Sequence, residues 1–411
     1  MQTRRLGKTG LQVSEIGFGA EWLERHPEEE GVELIHYAAD AGINILDCWM
    51  PDPKSRDIIG LGIRDDRAHW YIQGHLGSTW KNGQYYRTRD LIYVRPAFED
   101  LLTRLQTDYI DLGMIHYVDS EEEWEQILHS DYLSYVMELK KTGVIRHIGL
   151  SSHNPKVAVK AAESGFVEMI LFSVNPAFDM LPASEDIDTM FAERFDVGLK
   201  GIDAARAHLY SVCEQNDVGI TVMKGFAGGR LFDEKRSPFG VCLTPVQCIH
   251  YALTRPAVCS ILCGYDTKEQ VDAAVAYETA SAEEKDYASV LANAPFHSYR
   301  GQCTYCGHCK PCAAELDIAM INKFYDLATM QPEVPATVKA HYGALSATAA
   351  DCIACGGCAG KALGGTMAGY DLLGQLGHSR TPLRDTLSLW GACGGAHGKG
   401  QGAVWVSPAR A

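Results

Sequence analysis

Seven cysteines fall in two tight runs, Cys303-Thr-Tyr-Cys306-Gly-His-Cys309-Lys-Pro-Cys312 and Cys352-Ile-Ala-Cys355-Gly-Gly-Cys358. Thiolates recurring every third residue can wrap a cubane, so these residues are expected to ligate [4Fe-4S] clusters and to carry electrons. Structural zinc is the competing chemistry, but it uses four ligands, usually as two separated pairs, and each run here offers a crowded third cysteine. Disulfides need an oxidising compartment. The other cysteines ahead of the runs (Cys48, Cys213, Cys242, Cys248, Cys259 and Cys263) are scattered, and Met1-Gln-Thr-Arg-Arg opens no apolar leader. A reducing cytoplasm is the expected setting.

A second set of chemistry-bearing residues stands earlier. Asp47, His75 and His116 each close a short apolar run. Two imidazoles and a carboxylate can work as proton donors and acceptors, or can form the facial triad that suits non-haem iron or another divalent metal. The second use would make a metal-dependent lyase or isomerase. A third reading leaves these residues non-catalytic, in an electron-transfer subunit.

The elements that must position these residues repeat with a regular beat. Val13 to Phe18, Ile43 to Asp47, Trp70 to Gly74, Tyr109 to His116, Ile145 to Leu150, Met169 to Val174, Gly219 to Lys224 and Val258 to Cys263 read as strands. Each is followed by a helical stretch or by a loop leading into one. Eight such units in series predict an α/β fold of the (β/α)8 TIM-barrel type, with the site at the C-terminal ends of the strands. The acidic insertion from Pro182 to Gly201 is expected to cover the mouth. The barrel is assigned to residues 1–285, closing in an acidic helical linker at Ala276 to Glu284. A small iron-sulfur domain occupies 286–358, mainly helical, with Ile318, Met320, Ile321, Phe324, Tyr325 and Leu327 on one apolar face. Residues 359–411 form a glycine-rich, irregular tail. The net charge of -15 argues against nucleic acid and anionic membrane surfaces, and no apolar run is long enough for a membrane span.

Arg5-Leu-Gly-Lys-Thr-Gly-Leu-Gln-Val-Ser-Glu-Ile-Gly-Phe-Gly19, Gly42-Ile-Asn-Ile-Leu-Asp47, Asp108-Tyr-Ile-Asp-Leu-Gly-Met-Ile-His116 and Gly143-Val-Ile-Arg-His-Ile-Gly-Leu-Ser151, in this order, resemble the aldo/keto reductase family. With its cysteine runs the full chain resembles the ferredoxin-tailed members. The resemblance implies hydride transfer between a nicotinamide, NADPH or NADH, and the carbonyl of a small substrate, on an Asp, Tyr, Lys, His tetrad whose phenol gives the proton. Asp47 and His116 match two members. Asp52 stands in the tyrosine's place and His75 in the lysine's, so the proton donor is altered; Tyr85 and Tyr86, ten and eleven residues beyond His75, are phenols that would restore it if they reach the site. For the nicotinamide, the resemblance implies contacts from Ser151, Ser152, Asn175, Gly225, Gly228, Gly229, Gly264 and Gln270, with Lys224 on a phosphate or a substrate carboxylate.

In the two-cluster ferredoxin pattern the fourth cysteine of each run ligates the other cluster, so Cys312 completes the set Cys352, Cys355, Cys358. The reciprocal ligand is missing, since Ala362 stands where it is due. Cys393, a non-cysteine ligand or an open iron site fills the gap, or the tail is read out of frame. One cluster is thus expected to be complete and the other incomplete. A redox partner protein is expected for electrons entering one at a time.

Overall fold

A computed structural model of the chain describes residues 1–191, 199–297, 305, 309–329, 334 and 336–353. Its eight parallel strands close into a barrel, in the order β6-β7-β8-β1-β2-β3-β4-β5. They are β1 (Ile16–Gly19), β2 (Ile45–Cys48), β3 (Tyr71–Leu76), β4 (Ile110–Ile115), β5 (Ile145–Ser152), β6 (Met169–Ser173), β7 (Gly219–Met223) and β8 (Val258–Gly264). Strand neighbours in sequence are neighbours in the sheet because each crossover helix folds back onto the sheet beside the strand it left.

The expected first strand divides. Gln12–Ser14 pairs antiparallel with Thr3–Arg5, and only Ile16–Gly19 enters the barrel. Glu15 marks the change of partner: its carboxylate holds Arg4 at 2.6 Å while its carbonyl accepts from Ile261 N–H. This N-terminal hairpin plugs the bottom, with Leu6 and Val13 packed into the interior beside Ile45, Leu112 and Met169. Gly149 leaves room for that filling. A Cβ there would lie 2.4 Å from Met114 Sδ and 2.5 Å from Met169 Sδ, so a side chain would force both thioethers out of place.

A larger apolar layer lies between the strands and the surrounding helices. The expected linker belongs to it. Ala276–Glu278 is a 3-10 helix and Tyr287–Ala292 an α-helix, and Tyr277, Tyr287, Ala288 and Leu291 are all buried in the barrel's own core. Tyr287 Oη lies 3.0 Å from Thr254 Oγ1 and accepts from Arg255 Nη2 at 3.3 Å. The acidic side chains suggested a spacer; the aromatic ones between them fix the segment to the barrel.

A second, smaller core follows. Helices Ile318–Thr329 and Ala336–Gly343 bury Leu316, Ile318, Ile321, Phe324, Val338 and Tyr342 against one another. Met320 and Tyr325 are only partly buried at its edge. Cys309, Cys312 and Cys352 pack against the same cluster. Cys303, Cys306, Cys355, Cys358, Cys393 and the whole tail 359–411 lie outside the described residues. Among the described residues no helix is long and apolar enough to cross a membrane.

Candidate active site

Alternation along the strands decides which side chains reach the mouth, because residues two apart share a face. Ile45, Tyr71, Leu112 and Met114 all pack into the barrel interior. The same faces therefore carry Asp47 at the end of β2, Gln73 and His75 on β3, and His116 one residue beyond β4. All four are buried.

They form one hydrogen-bonded series. Thr221 Oγ1 donates to Gln73 Oε1 at 2.9 Å, and Gln73 Nε2 donates to Asp47 Oδ1 at 2.8 Å. His75 Nε2 lies 2.9 Å from the same carboxylate oxygen, and His75 Nδ1 lies 2.7 Å from His116 Nδ1. Tyr85 Oη sits 2.8 Å from His116 Nε2 and ends the series at the cavity. Burial, and then the neighbouring His75, hold the His116 imidazole well below its ordinary pKa, so it is neutral. Burial pushes the Tyr85 hydroxyl up to about 12, so the phenol keeps its proton.

This geometry disfavours the metal triad. Both ring nitrogens of His75 point at protein partners, one at Asp47 and one at His116, and no group of three candidate ligands among the described residues is arranged to hold a metal ion. Asp52, in the place of the expected phenol, is occupied elsewhere: its side chain accepts from Ser55 N–H at 2.9 Å and caps the helix Pro53–Ile63.

Tyr85 was the residue that spacing could not place. It comes from an antiparallel hairpin, Ser78–Lys81 with Gln84–Arg87, inserted after β3 and turning through Asn82 (φ 55°) and Gly83 (φ 77°). Asn-Gly between two short runs is a strong hairpin signal, and it was available in the sequence.

The series opens into a cavity of about 920 Å³, at the upper end of the roughly 300–1,000 Å³ usual for ligand pockets. Trp22, Trp49, Phe226, Phe232 and Tyr265 supply apolar wall, and Trp49 stacks on His116 with ring centroids 6.0 Å apart. Ser151, Lys224, Gly225, Gly228, Gly229, Gly264 and Gln270 also line it. Ser151 Oγ accepts Tyr117 N–H at 2.7 Å, and Gln270 Oε1 accepts Asp266 N–H at 2.7 Å. Burial lowers the Lys224 ammonium pKa. Gly228 (φ 63°) and Gly229 (φ 79°) hold left-handed backbone with nothing within 4 Å of where a Cβ would sit. That stretch of bare backbone suits a phosphate, so the lining fits a nicotinamide dinucleotide.

Ser152 and Asn175 are not part of the lining. Ser152 Oγ donates to Asp119 Oδ1 at 3.0 Å. Asn175 donates to Lys224 O at 2.9 Å and accepts from the backbone N–H groups of Ala177 and Phe178. Their polar atoms hold loops together. His153, which the sequence did not single out, does line the cavity. Its backbone N–H and Nδ1 both bond Asp119, at 2.6 and 2.9 Å, and its buried Nε2 has no partner among the described residues. Burial alone would raise the Asp119 pKa, but these bonds from His153, with that from Ser152, hold it below its ordinary value.

The profile of the aldo/keto reductase family matches residues 15–244. The chain is 28% identical over 285 residues to the uncharacterized oxidoreductase YqkF of Bacillus subtilis, covering 66% of this chain and 89% of that one. It is 26% identical over 219 residues to L-galactose dehydrogenase of Arabidopsis thaliana, covering 48% and 67%. The holo form of the aldo-keto reductase AKR11C1 from Bacillus halodurans has the same fold, with a TM-score of 0.53 and 22% identity over 69% of this chain and 94% of that one. A closed barrel of eight parallel strands and a family match across more than half of the sequence lead to one conclusion: the chain belongs to the aldo/keto reductase family and is an oxidoreductase.

Proposed function

We propose that the chain reduces the carbonyl, or a related group, of a small substrate at the barrel mouth with NADPH or NADH. The observation that carries this reading is the series Asp47, His75, His116 on the cavity floor, hydrogen-bonded end to end. When bound, the reduced nicotinamide supplies a hydride and its two electrons. The protein's own residues do the rest. Ser151, Gly225, Gly228, Gly229, Gly264 and Gln270 give the cofactor polar atoms and bare backbone, Lys224 faces an anionic group, and the aromatic wall excludes water. Asp47 fixes the His75 tautomer and steadies a proton on it, so the series can deliver a proton to an oxygen at the mouth.

The seven cysteines are proposed to hold [4Fe-4S] clusters, one complete through Cys312 with Cys352, Cys355 and Cys358, the other short of a ligand beside Cys303, Cys306 and Cys309. Their spacing supports this, as does the packing of Cys309, Cys312 and Cys352 on one small core. A cubane passes one electron and a hydride carries two, so the clusters serve a redox partner or a separate one-electron step. A reducing, cytoplasmic setting suits such thiolates.

Anaerobic fluorescence titration with NADPH and NADH, followed by consumption of the bound nucleotide with 4-nitrobenzaldehyde, tests the reading. Saturable binding and aldehyde-dependent oxidation are expected. Failure of both nucleotides to bind at millimolar concentration would overturn it. Iron and sulfide counts on anaerobically reconstituted protein test the clusters separately.

A further inference from the structure

We infer that Tyr85, carried over the barrel mouth by the hairpin after β3, is the catalytic residue that passes the proton to the substrate, in place of the phenol missing at Asp52. This rests on the carbonyl-reductase reading above and names the group that completes it.

Three independent features put Tyr85 there. The cross-strand pairs Trp80 with Tyr85 and Thr79 with Tyr86 set the two tyrosines on opposite faces of the hairpin. Tyr86 turns outward onto Tyr93 and Lys81. Tyr85 turns inward, its ring edge-on to Trp49 at 5.6 Å and to His116 at 5.8 Å, with its hydroxyl on His116 Nε2. The hairpin is tied down beside the site: Arg87 donates to Tyr117 O at 2.6 Å and Arg89 to the same oxygen at 3.1 Å, and both arginines bond Glu123 at 3.0 Å. These ties hold one phenol at the end of a proton wire.

The wire has two states that differ by one proton. In the neutral state His75 donates from Nε2 to Asp47, His116 donates from Nδ1 to His75, and Tyr85 donates its O–H to His116, leaving its lone pairs toward the cavity. With one more proton, held on His75, the His75 Nε2–H still donates to the Asp47 carboxylate and the two bonds beyond it reverse. His75 donates from Nδ1 to His116, His116 donates from Nε2 to the Tyr85 oxygen, and the Tyr85 O–H turns to the substrate. The carbonyl π bond then breaks as hydride and its electron pair arrive at carbon from the nicotinamide and the oxygen takes the Tyr85 proton. Tyr85 regains a proton from His116, His116 from His75, and solvent later restores His75. No phenolate forms, which matters because burial sets the hydroxyl pKa at about 12. The charged and titratable groups facing the wire include Arg87, Arg89, Glu123, Tyr117 and His153 around Tyr85 and His116, and Glu21 with Lys224 on the Asp47 side of the cavity.

The test uses the full chain as wild type, Tyr85→Phe and Tyr86→Phe, with NADPH and 4-nitrobenzaldehyde. All three should bind NADPH equally. In Tyr85→Phe kcat should fall at least about 100-fold, the size of a lost general acid, with KM within a few-fold, while Tyr86→Phe stays near wild type. Nitrogen NMR should show the His116 Nε2 resonance shifting in Tyr85→Phe alone, with or without turnover. Wild-type kcat in Tyr85→Phe, or an unmoved His116 resonance, would overturn the inference. Absence of NADPH binding in the wild type would instead sink the carbonyl-reductase reading, and the resonance would still report whether Tyr85 bonds His116.

Discussion

At the scale of single residues, two carboxylates, one beside the site and one at the opposite end of the barrel, show how polar groups taken out of water are kept satisfied. Asp119 is 4% exposed and accepts from Ser152 Oγ, His153 N–H and His153 Nδ1. Asp119→Ala strands those donors in a dry place, and each buried donor left without an acceptor costs about 1–3 kcal/mol. The variant should show a denaturant midpoint clearly below wild type. Glu168 is the second case. Burial alone would raise its pKa, but hydrogen bonds from His147, Lys140 and Ile148 N–H hold it down at about 2. A carboxyl depressed in the folded state stabilises the fold above its unfolded pKa of about 4.3 and loses that contribution as pH falls toward about 2. Glu168→Gln should therefore be less stable than wild type at pH 7, with the difference shrinking below pH 4.3 and gone near pH 2, as read from urea midpoints across that range.

At the scale of elements, the hairpin carries the largest functional weight for its length. Its turn needs left-handed backbone at Asn82 and Gly83, which the mirror-image two-residue turn demands and which β-branched side chains resist. A Cβ at Gly83 meets nothing within 4 Å, so the cost of Gly83→Val is conformational, on the order of 1–2 kcal/mol. That cost falls on the hairpin and not on the barrel. The variant should keep the wild-type melting temperature and NADPH affinity while losing aldehyde turnover, because Tyr85 no longer rests on His116. Equal losses of barrel stability and turnover would contradict this.

At the scale of the whole molecule, the small core meets the barrel at the end away from the mouth. His341 Nδ1 lies 3.2 Å from Glu214 Oε1, ahead of β7, and Arg255, ahead of β8, lies over the Tyr305 ring at 4.9 Å. Those are the N-terminal ends of strands whose C-terminal ends hold the site. Cys312→Ser should therefore lower the iron count of reconstituted protein and leave NADPH-dependent reduction of 4-nitrobenzaldehyde within about two-fold of wild type. The barrel's own limit can be tested in the same way. A chain ending at residue 285 removes Tyr287, Ala288 and Leu291 from the core, and losing large buried side chains such as Tyr287 and Leu291 costs about 2–5 kcal/mol each. It should aggregate or melt well below a chain ending at residue 297.

The barrel was legible in the sequence because each strand is a short apolar run followed by a helical stretch, and eight such runs in series allow few other closures. The same alternation brings Asp47, His75 and His116 to strand ends on the interior face, while their catalytic roles were read from the family resemblance and not from spacing. Composition misled at Ala276 to Glu284, where acidic residues suggested a spacer and the buried rings of Tyr277 and Tyr287 tie the stretch and the helix after it to the core. Chain order also left Ser152 and Asn175 indistinguishable from Ser151, since whether a hydroxyl or amide faces a cavity or a loop depends on one bond rotation and on neighbours far away in sequence. Only tertiary structure could bring Tyr85 to His116, 31 residues further on. A hairpin's direction over the mouth is set by what it packs against, Trp49, Tyr117 and Glu123, and none of these contacts leaves a periodic trace in the chain.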